Sequence, residues 1–230
     1  MKIALFDIDG TLVWTHGAGR RAMRRALEDA VGAAGPLEHR YDGKTDKQIV
    51  REALRHEGFG DEDVDARMDE ILDSYIEQLA AELDVEPHVA VLLPGVAAVL
   101  DAVEASDDIV LGLLTGNLMV GAEQKLRAVG VNPGRFMVGA FGSDHELRHE
   151  LPAIAQARAS AYLGVHVPSG ACVIIGDTPT DVACARPIGA RAIAVATGSF
   201  DLAALIACGA DAVFSDLCDT AAVLRAISDA

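Results

Sequence analysis

Four aspartates and a threonine, each set beside an apolar run, carry the chemistry this 230-residue chain can offer. Asp7 and Asp9 follow the run Ile3-Ala4-Leu5-Phe6, and Gly10 and Thr11 come directly after them. Carboxylates two residues apart at the end of a buried strand can converge on one hard cation, and ionised groups there need a partner to offset their desolvation. Gly10 lets the backbone leave the strand sharply. Thr115-Gly116-Asn117 closes a second apolar run, and Gly176-Asp177-Thr178-Pro179-Thr180-Asp181 closes a third. Thr115, with the N–H groups of Gly116 and Asn117 near a helix start, suits an oxyanion such as phosphate. Asp7, Asp9, Asp177 and Asp181 offer only oxygen, with no His or Cys beside them, a donor set that favours Mg2+ over zinc.

These residues meet only if their strands lie side by side. Strand-like runs at 109–114, 136–141, 173–175, 192–196 and 212–214 alternate with helical periods at 96–103, 121–129, 151–163 and 181–188. That alternation predicts an α/β fold with a doubly wound parallel sheet, Rossmann-like, whose strands put their carboxyl ends around one crevice. Between the first strand and the rest, helical periods at 20–31, 47–56 and 63–83 occupy residues 14–90 without a strand run. This stretch is too long for a crossover and reads as an inserted all-helical cap, leaving 1–13 and 91–230 as the core. The first of these helices carries an Arg-rich outer face, and the Ala-rich tail reads as helix.

Hydrophobic residues make up 51% and charged residues 23%, the composition of a water-soluble domain with a large core. No apolar run approaches the roughly 20 residues that span a bilayer, and the chain enters its first strand without a charged-then-apolar leader, so the expected compartment is the cytoplasm. The net charge of −16 excludes a nucleic-acid partner, and an anionic ligand must be held by local cations or a metal. Cys172, Cys184, Cys208 and Cys218 lack metal-site spacing and read as buried thiols.

The first of these motifs, Asp7-Ile8-Asp9-Gly10-Thr11, together with Thr115 and the stretch from Gly176 through Asp181, resembles the haloacid dehalogenase superfamily. The resemblance covers the whole chain and lies with the phosphoglycolate phosphatase-like and β-phosphoglucomutase-like branch, which carries a helical cap. It implies Asp7 as a nucleophile forming an aspartyl-phosphate and Asp9 as general acid, then base. It implies Mg2+ held by Asp7, Asp177 and the backbone carbonyl of Asp9, with Asp181 orienting that site and Thr115 binding the transferring phosphoryl group. Gly10, Thr11, Gly116 and Asn117 become substrate-binding positions. The residue types suit these roles: a carboxylate is ionised at neutral pH without a base, and a second one can pass a proton to and from the reacting oxygens.

One motif departs from the family. Its lysine has no counterpart in Glu146-Leu147-Arg148-His149-Glu150-Leu151-Pro152. Arg148 takes the cationic role there, with Lys125 as the second candidate, read by itself as a solvated helix lysine. In the cap, Gly43-Lys44-Thr45-Asp46 resembles the loop that faces the active site in related phosphatases, so Lys44 is the cation expected at the substrate's remote end. Trp14 and His16 lie in the linker near Asp9, His16 as an exposed or a substrate-facing histidine. The expected activity is a Mg2+-dependent phosphatase of small phosphorylated metabolites, acting as a monomer or weak homodimer without nucleic acid or membrane. Its rivals are a phosphomutase with the same core, a 2-haloacid dehalogenase, which would need neither Asp9 nor a metal, and a regulatory module with a vestigial site.

Overall fold

The computed structural model describes residues 1–84 and 90–229. The first apolar run forms β1 (Lys2–Phe6). Its residues alternate between two apolar clusters, Ala4 and Phe6 in one and Ile3 and Leu5 in the other. Both faces of the strand are covered, which is why the run is apolar throughout. After a tight turn, β2 (Val13–Trp14) leads into three helices, α1 (Ala18–Val31), α2 (Asp46–His56) and α3 (Asp61–Asp84), and β3 (Val91–Leu92) returns antiparallel to β2. Trp14, expected within an all-helical stretch, therefore ends a strand; two paired residues are too few to produce a period. The three helices share their own apolar cluster, with Met23, Leu27, Leu54, Ile71, Tyr75 and Leu79 at its centre. Two arginines of the expected outer face, Arg21 and Arg25, pair with Glu82 of α3 at 2.7 and 2.6 Å.

The chain continues as α4 (Val96–Glu104), β4 (Ile109–Thr115), α5 (Met119–Ala128), β5 (Val138–Phe141), α6 (Leu151–Leu163), β6 (Cys172–Gly176), α7 (Pro179–Ala185), β7 (Arg191–Val195), α8 (Leu202–Ala207), β8 (Ala212–Phe214) and α9 (Thr220–Ser228). The strand order is β5-β4-β1-β6-β7-β8, with every pairing parallel. Leu100, Leu126 and Ile227 bring α4, α5 and α9 onto the Phe6 face, while Ala155, Val182 and Leu205 bring α6, α7 and α8 onto the Leu5 face. Strand order reverses beside β1, and a ligand crevice belongs outside the carboxyl ends at such a point.

Three expected boundaries shift for local reasons. The strand expected from 136 starts at Val138, because Pro133–Arg135 form a 3-10 turn that ends on Phe136. The helix expected over 181–188 runs from Pro179 to Ala185, started by a Thr178 cap and succeeded by the Pro-containing turn Arg186–Ile188. All four cysteines are free, and Cys172 and Cys184 are buried as expected; Cys208 is half-buried and Cys218 is exposed, since it lies in the loop before α9. Among the described residues no helix is long and apolar enough to cross a membrane.

Candidate active site

The carboxyl ends of β1, β4 and β6 bring the predicted acids together. Asp7 is held at the tip of β1, its N–H donating to the Ile175 carbonyl at 2.8 Å. At Gly10 the backbone takes φ 79°, and a Cβ there would stand 2.3 Å from Asp177 Oδ2, so the turn needs glycine both for its conformation and for its closeness. Thr11 Oγ1 donates to Asp177 Oδ1 at 3.1 Å. Thr11, expected at the substrate, is fully buried and does not line the cavity; it serves Asp177 from behind.

Asp181 is fixed on both sides. Thr178 N–H and Oγ1 donate to its Oδ2 at 2.9 and 2.7 Å, closing a capping box on α7, and Arg148 Nη2 lies 2.5 Å from its Oδ1. The same Nη2 is 3.2 Å from Asp7 Oδ2, with the Arg148 side chain only 3% exposed. One oxygen from each of Asp7, Asp177 and Asp181 falls within 4.8 Å of the others. Burial pushes Asp7 up to about 6, against the pull of Arg148 and with the help of Asp181 and Asp9. Burial, with Asp181 and Asp7 close by, holds Asp177 well above the usual carboxylate range. Burial works against the charge on Arg148, but Asp181 and Asp7 outweigh it and raise its pKa. Three buried carboxylates against one guanidinium form a cation-deficient, oxygen-only set, which suits a hard divalent ion.

Asp9 faces elsewhere. Its Oδ2 accepts from Lys125 Nζ at 2.6 Å and from Asn117 Nδ2 at 2.7 Å. Asn117 Oδ1 in turn accepts from Lys125 Nζ at 2.6 Å, and Asn117 Nδ2 also reaches Thr115 Oγ1 at 2.8 Å. Of the four acids expected to crowd one cleft, Asp9 thus turns its carboxylate away from the other three, because two donors on the β4–α5 side claim it; the resemblance calls only on its backbone carbonyl at the metal. The reading of Lys125 as a solvated helix lysine is also overturned, since its side chain is 4% exposed. A signal for this was present: Lys125 falls between Ala122 and Leu126 on the buried stripe of α5, and two turns of helix place it beneath Asn117.

A cavity of about 190 Å³ lies over these groups, lined by Asp7, Asp9, Thr115, Asn117, Lys125 and Arg148. Gly10, Gly116 and Asp177 also line it, whereas Asp181 stands behind Arg148. Cap residues close it from above: Arg20, Tyr41, Lys44, Asp46 and Tyr75. The loop before α2 docks on the core through Asp46 N–H to Gly116 O at 2.9 Å and Leu118 N–H to Asp46 Oδ2 at 2.8 Å. Gly43 there has φ 70°, and a Cβ would stand 2.6 Å from Thr180 Oγ1. Burial pushes Asp46 up to about 6, opposed by Lys125. Lys44 reaches the cavity, but its ammonium is bonded to Glu52 and lies 3.3 Å from His39 Nε2. Trp14 lines the cavity, while His16, at φ 49°, is exposed and does not. Sequence reasoning included Asp46 in the loop facing the site but passed over Arg20, Tyr41 and Tyr75, which line the cavity from a cap that reads as amphipathic helices.

The sheet order, the acids at the strand tips and the inserted helices define the class: the chain belongs to the haloacid dehalogenase-like hydrolases, whose family model matches residues 4–186. Within that class it is 24% identical over 200 residues to Protein CbbY of Rhodobacter capsulatus, covering 84% of each chain. CbbY from Rhodobacter sphaeroides, in complex with phosphate, has the same fold at a TM-score of 0.71 and 23% identity, over 95% of this chain and 96% of that one. A predicted phosphoglycolate phosphatase from Haemophilus somnus 129pt matches at a TM-score of 0.71 and 18% identity, over 97% and 98%.

Proposed function

We propose that this hydrolase is a Mg2+-dependent phosphatase of small phosphomonoester metabolites, of the phosphoglycolate phosphatase kind, working through a phosphoenzyme on Asp7. One observation carries the reading. Asp7 and Asp9 line one cavity with opposite settings, Asp7 among acids and Arg148, Asp9 on Lys125 and Asn117. Two carboxyls in distinct surroundings can take distinct roles.

A carboxylate oxygen of Asp7 attacks phosphorus as the bond to the ester oxygen breaks, and the proton on Asp9 goes to that leaving oxygen. Water then attacks the phosphorus, giving a proton to Asp9 while the Asp7–phosphorus bond breaks, so that phosphate leaves and both acids are restored. Thr115 and the N–H groups after it face the phosphoryl oxygens. Arg148 keeps Asp7 and Asp181 fixed through both steps and stands in for the family's lysine. Asp7 and Asp177, with the Asp9 carbonyl, would hold Mg2+, oriented by Asp181 through Arg148 and Thr178, and the ion would neutralise charge shared by nucleophile and phosphate. The phosphate in the R. sphaeroides CbbY structure supports the ligand class. The cap, residues 14–90, excludes water and selects what lies beyond the phosphate.

The test is phosphate release from a panel of phosphorylated metabolites, with Mg2+ and with chelator. Mg2+-dependent turnover of sugar or hydroxy-acid phosphates is expected. Turnover unchanged in excess chelator, or none on any phosphomonoester, overturns the reading.

A further inference from the structure

The family pattern asks for one cation beside the acids, and this chain buries two. Arg148 serves Asp7 and Asp181, and Lys125 has no contact with either. Lysine is rarely this buried without a purpose, because losing its hydration must be offset by close partners. The partners of Lys125 are Asp9 Oδ2 and Asn117 Oδ1, both at 2.6 Å. Asn117 closes the ring by donating to the same Asp9 oxygen at 2.7 Å and to Thr115 at 2.8 Å. One oxygen of Asp9 is therefore claimed twice, while Oδ1 accepts no hydrogen bond among the described residues and the side chain is 44% exposed on the cavity side.

The ammonium also lies where core and cap meet. A Cβ at Gly19 of α1 would stand 3.4 Å from Lys125 Nζ and 3.7 Å from the Tyr75 hydroxyl of α3. Gln124, next to it on α5, donates to the Ile76 carbonyl of α3 at 3.3 Å. The cap thus shields the lysine end of the Lys125–Asp9 bond from water, which makes the bond stronger and more rigid than a fully exposed pair.

We infer that Lys125 is a positioning residue for the proton-transfer group: with Asn117 it pins one oxygen of Asp9 and leaves the other aimed at the leaving group. This rests on the phosphatase reading and assigns the two cations separate tasks, Arg148 at the nucleophile and Lys125 at the acid–base group. General acid catalysis matters most when the leaving oxygen is strongly basic and least when it departs readily as an anion. A fault in positioning Asp9 must therefore show as selectivity between leaving groups, which a general loss of fold cannot mimic.

The experiment compares wild type with Lys125→Met on 2-phosphoglycolate, which has a basic alkoxide leaving group, and on p-nitrophenyl phosphate, which has a good one. Values of kcat/KM isolate the first phosphoryl transfer from the later hydrolysis. The expected loss is about 10²-fold on the alkyl ester and less than about 10-fold on the aryl ester. Equal losses on both, or none on either, overturn the inference. Crystal structures of the two proteins give a readout independent of turnover: the Asp9 carboxylate should leave Asn117 in the variant. If Asp9 keeps its bond to Asn117 there, Lys125 does not position it. If Asp9 moves while the wild type hydrolyses no phosphomonoester, the positioning stands and the phosphatase reading falls.

Discussion

Replacing Arg148 by methionine keeps most of the side-chain volume and removes the one cation among the described residues in contact with the carboxylate triad. Breaking a buried ion pair by deleting one partner costs about 3–5 kcal/mol, because the other charge is left without compensation. Here the loss is smaller. Asp7 already sits at about 6, and without Arg148, which pulls it down, it rises further. At neutral pH the stranded Asp7 can therefore take up a proton, at a cost of about 1.4 kcal/mol for each pH unit that separates it from its pKa. A loss of about 2–3 kcal/mol is expected at pH 7 in chelator, shrinking towards pH 5, where Asp7 is largely protonated. Urea unfolding followed by circular dichroism measures it.

Activity separates counter-ion from orienting group. A divalent ion can restore charge balance to the variant, so saturating Mg2+ should return much of the stability. It cannot restore the geometry in which one guanidinium nitrogen reaches both Asp7 at 3.2 Å and Asp181 at 2.5 Å. At saturating Mg2+, kcat/KM should stay about 10²-fold below wild type, the loss typical of one preorganised contact. Arg148→Lys should recover part of it, since an ammonium replaces the charge but not the fork. A methionine variant with full kcat/KM in Mg2+ would refute the orienting role, and unchanged stability in chelator would refute the charge argument.

Asp7→Asn should abolish turnover with the fold intact, because an amide forms no phosphoenzyme; more than a few per cent residual activity, deamidation excluded, contradicts the covalent route. Asp177→Ala should raise the Mg2+ concentration needed for half-maximal rate sharply, and chelation should silence wild type reversibly; metal titrations of initial rate check both. Asp46 supplies a pH test away from the triad. Its folded pKa of about 6 lies above that of the unfolded chain, so the folded state holds the extra proton, and this contribution is fully present at low pH and lost as pH rises through 6. Asp46→Asn should therefore gain about 1 kcal/mol on wild type between pH 5 and 7.5 in urea unfolding, and a difference flat with pH refutes the shift.

What the sequence revealed follows from what each signal encodes. The parallel sheet was legible because β1, β4 and β6 are apolar on both faces, and the acids were legible because they sit at the tips of those runs. Arg148 could be placed by its position before the Pro152 helix. The pairing of β2 with β3 could not be read, since each has two residues. The fate of Lys125 was legible only in part: its place beside Leu126 on the apolar stripe of α5 hinted at burial, but a lysine on a helix is solvated by default, and the approach of α3 and Gly19 from the cap completes the burial. Lys44 reaches the cavity as the sequence suggested, but the bond of its ammonium to Glu52 of α2 could not be read from the loop that carries it.

The four cavity cations bear on how an anion is held in a chain of net charge −16. Arg148 is paired with acids, as are Lys125 and Lys44. Arg20 differs: its guanidinium donates to the His39 carbonyl at 2.8 Å and stacks 4.2 Å over Tyr41, with no carboxylate bonded to it among the described residues. A phosphate entering this cavity would meet three cations already neutralised by the protein's own carboxylates and one, Arg20, that is not, so the charge open to it is confined to the cap side. On the proposed reading, discrimination would come from donors fixed in place before the substrate arrives, Thr115 and the N–H groups after it, and from a divalent ion among the acids. The same pre-pairing keeps Asp7 and Asp9 in fixed positions in a cavity that would otherwise gather four mutually repelling carboxylates.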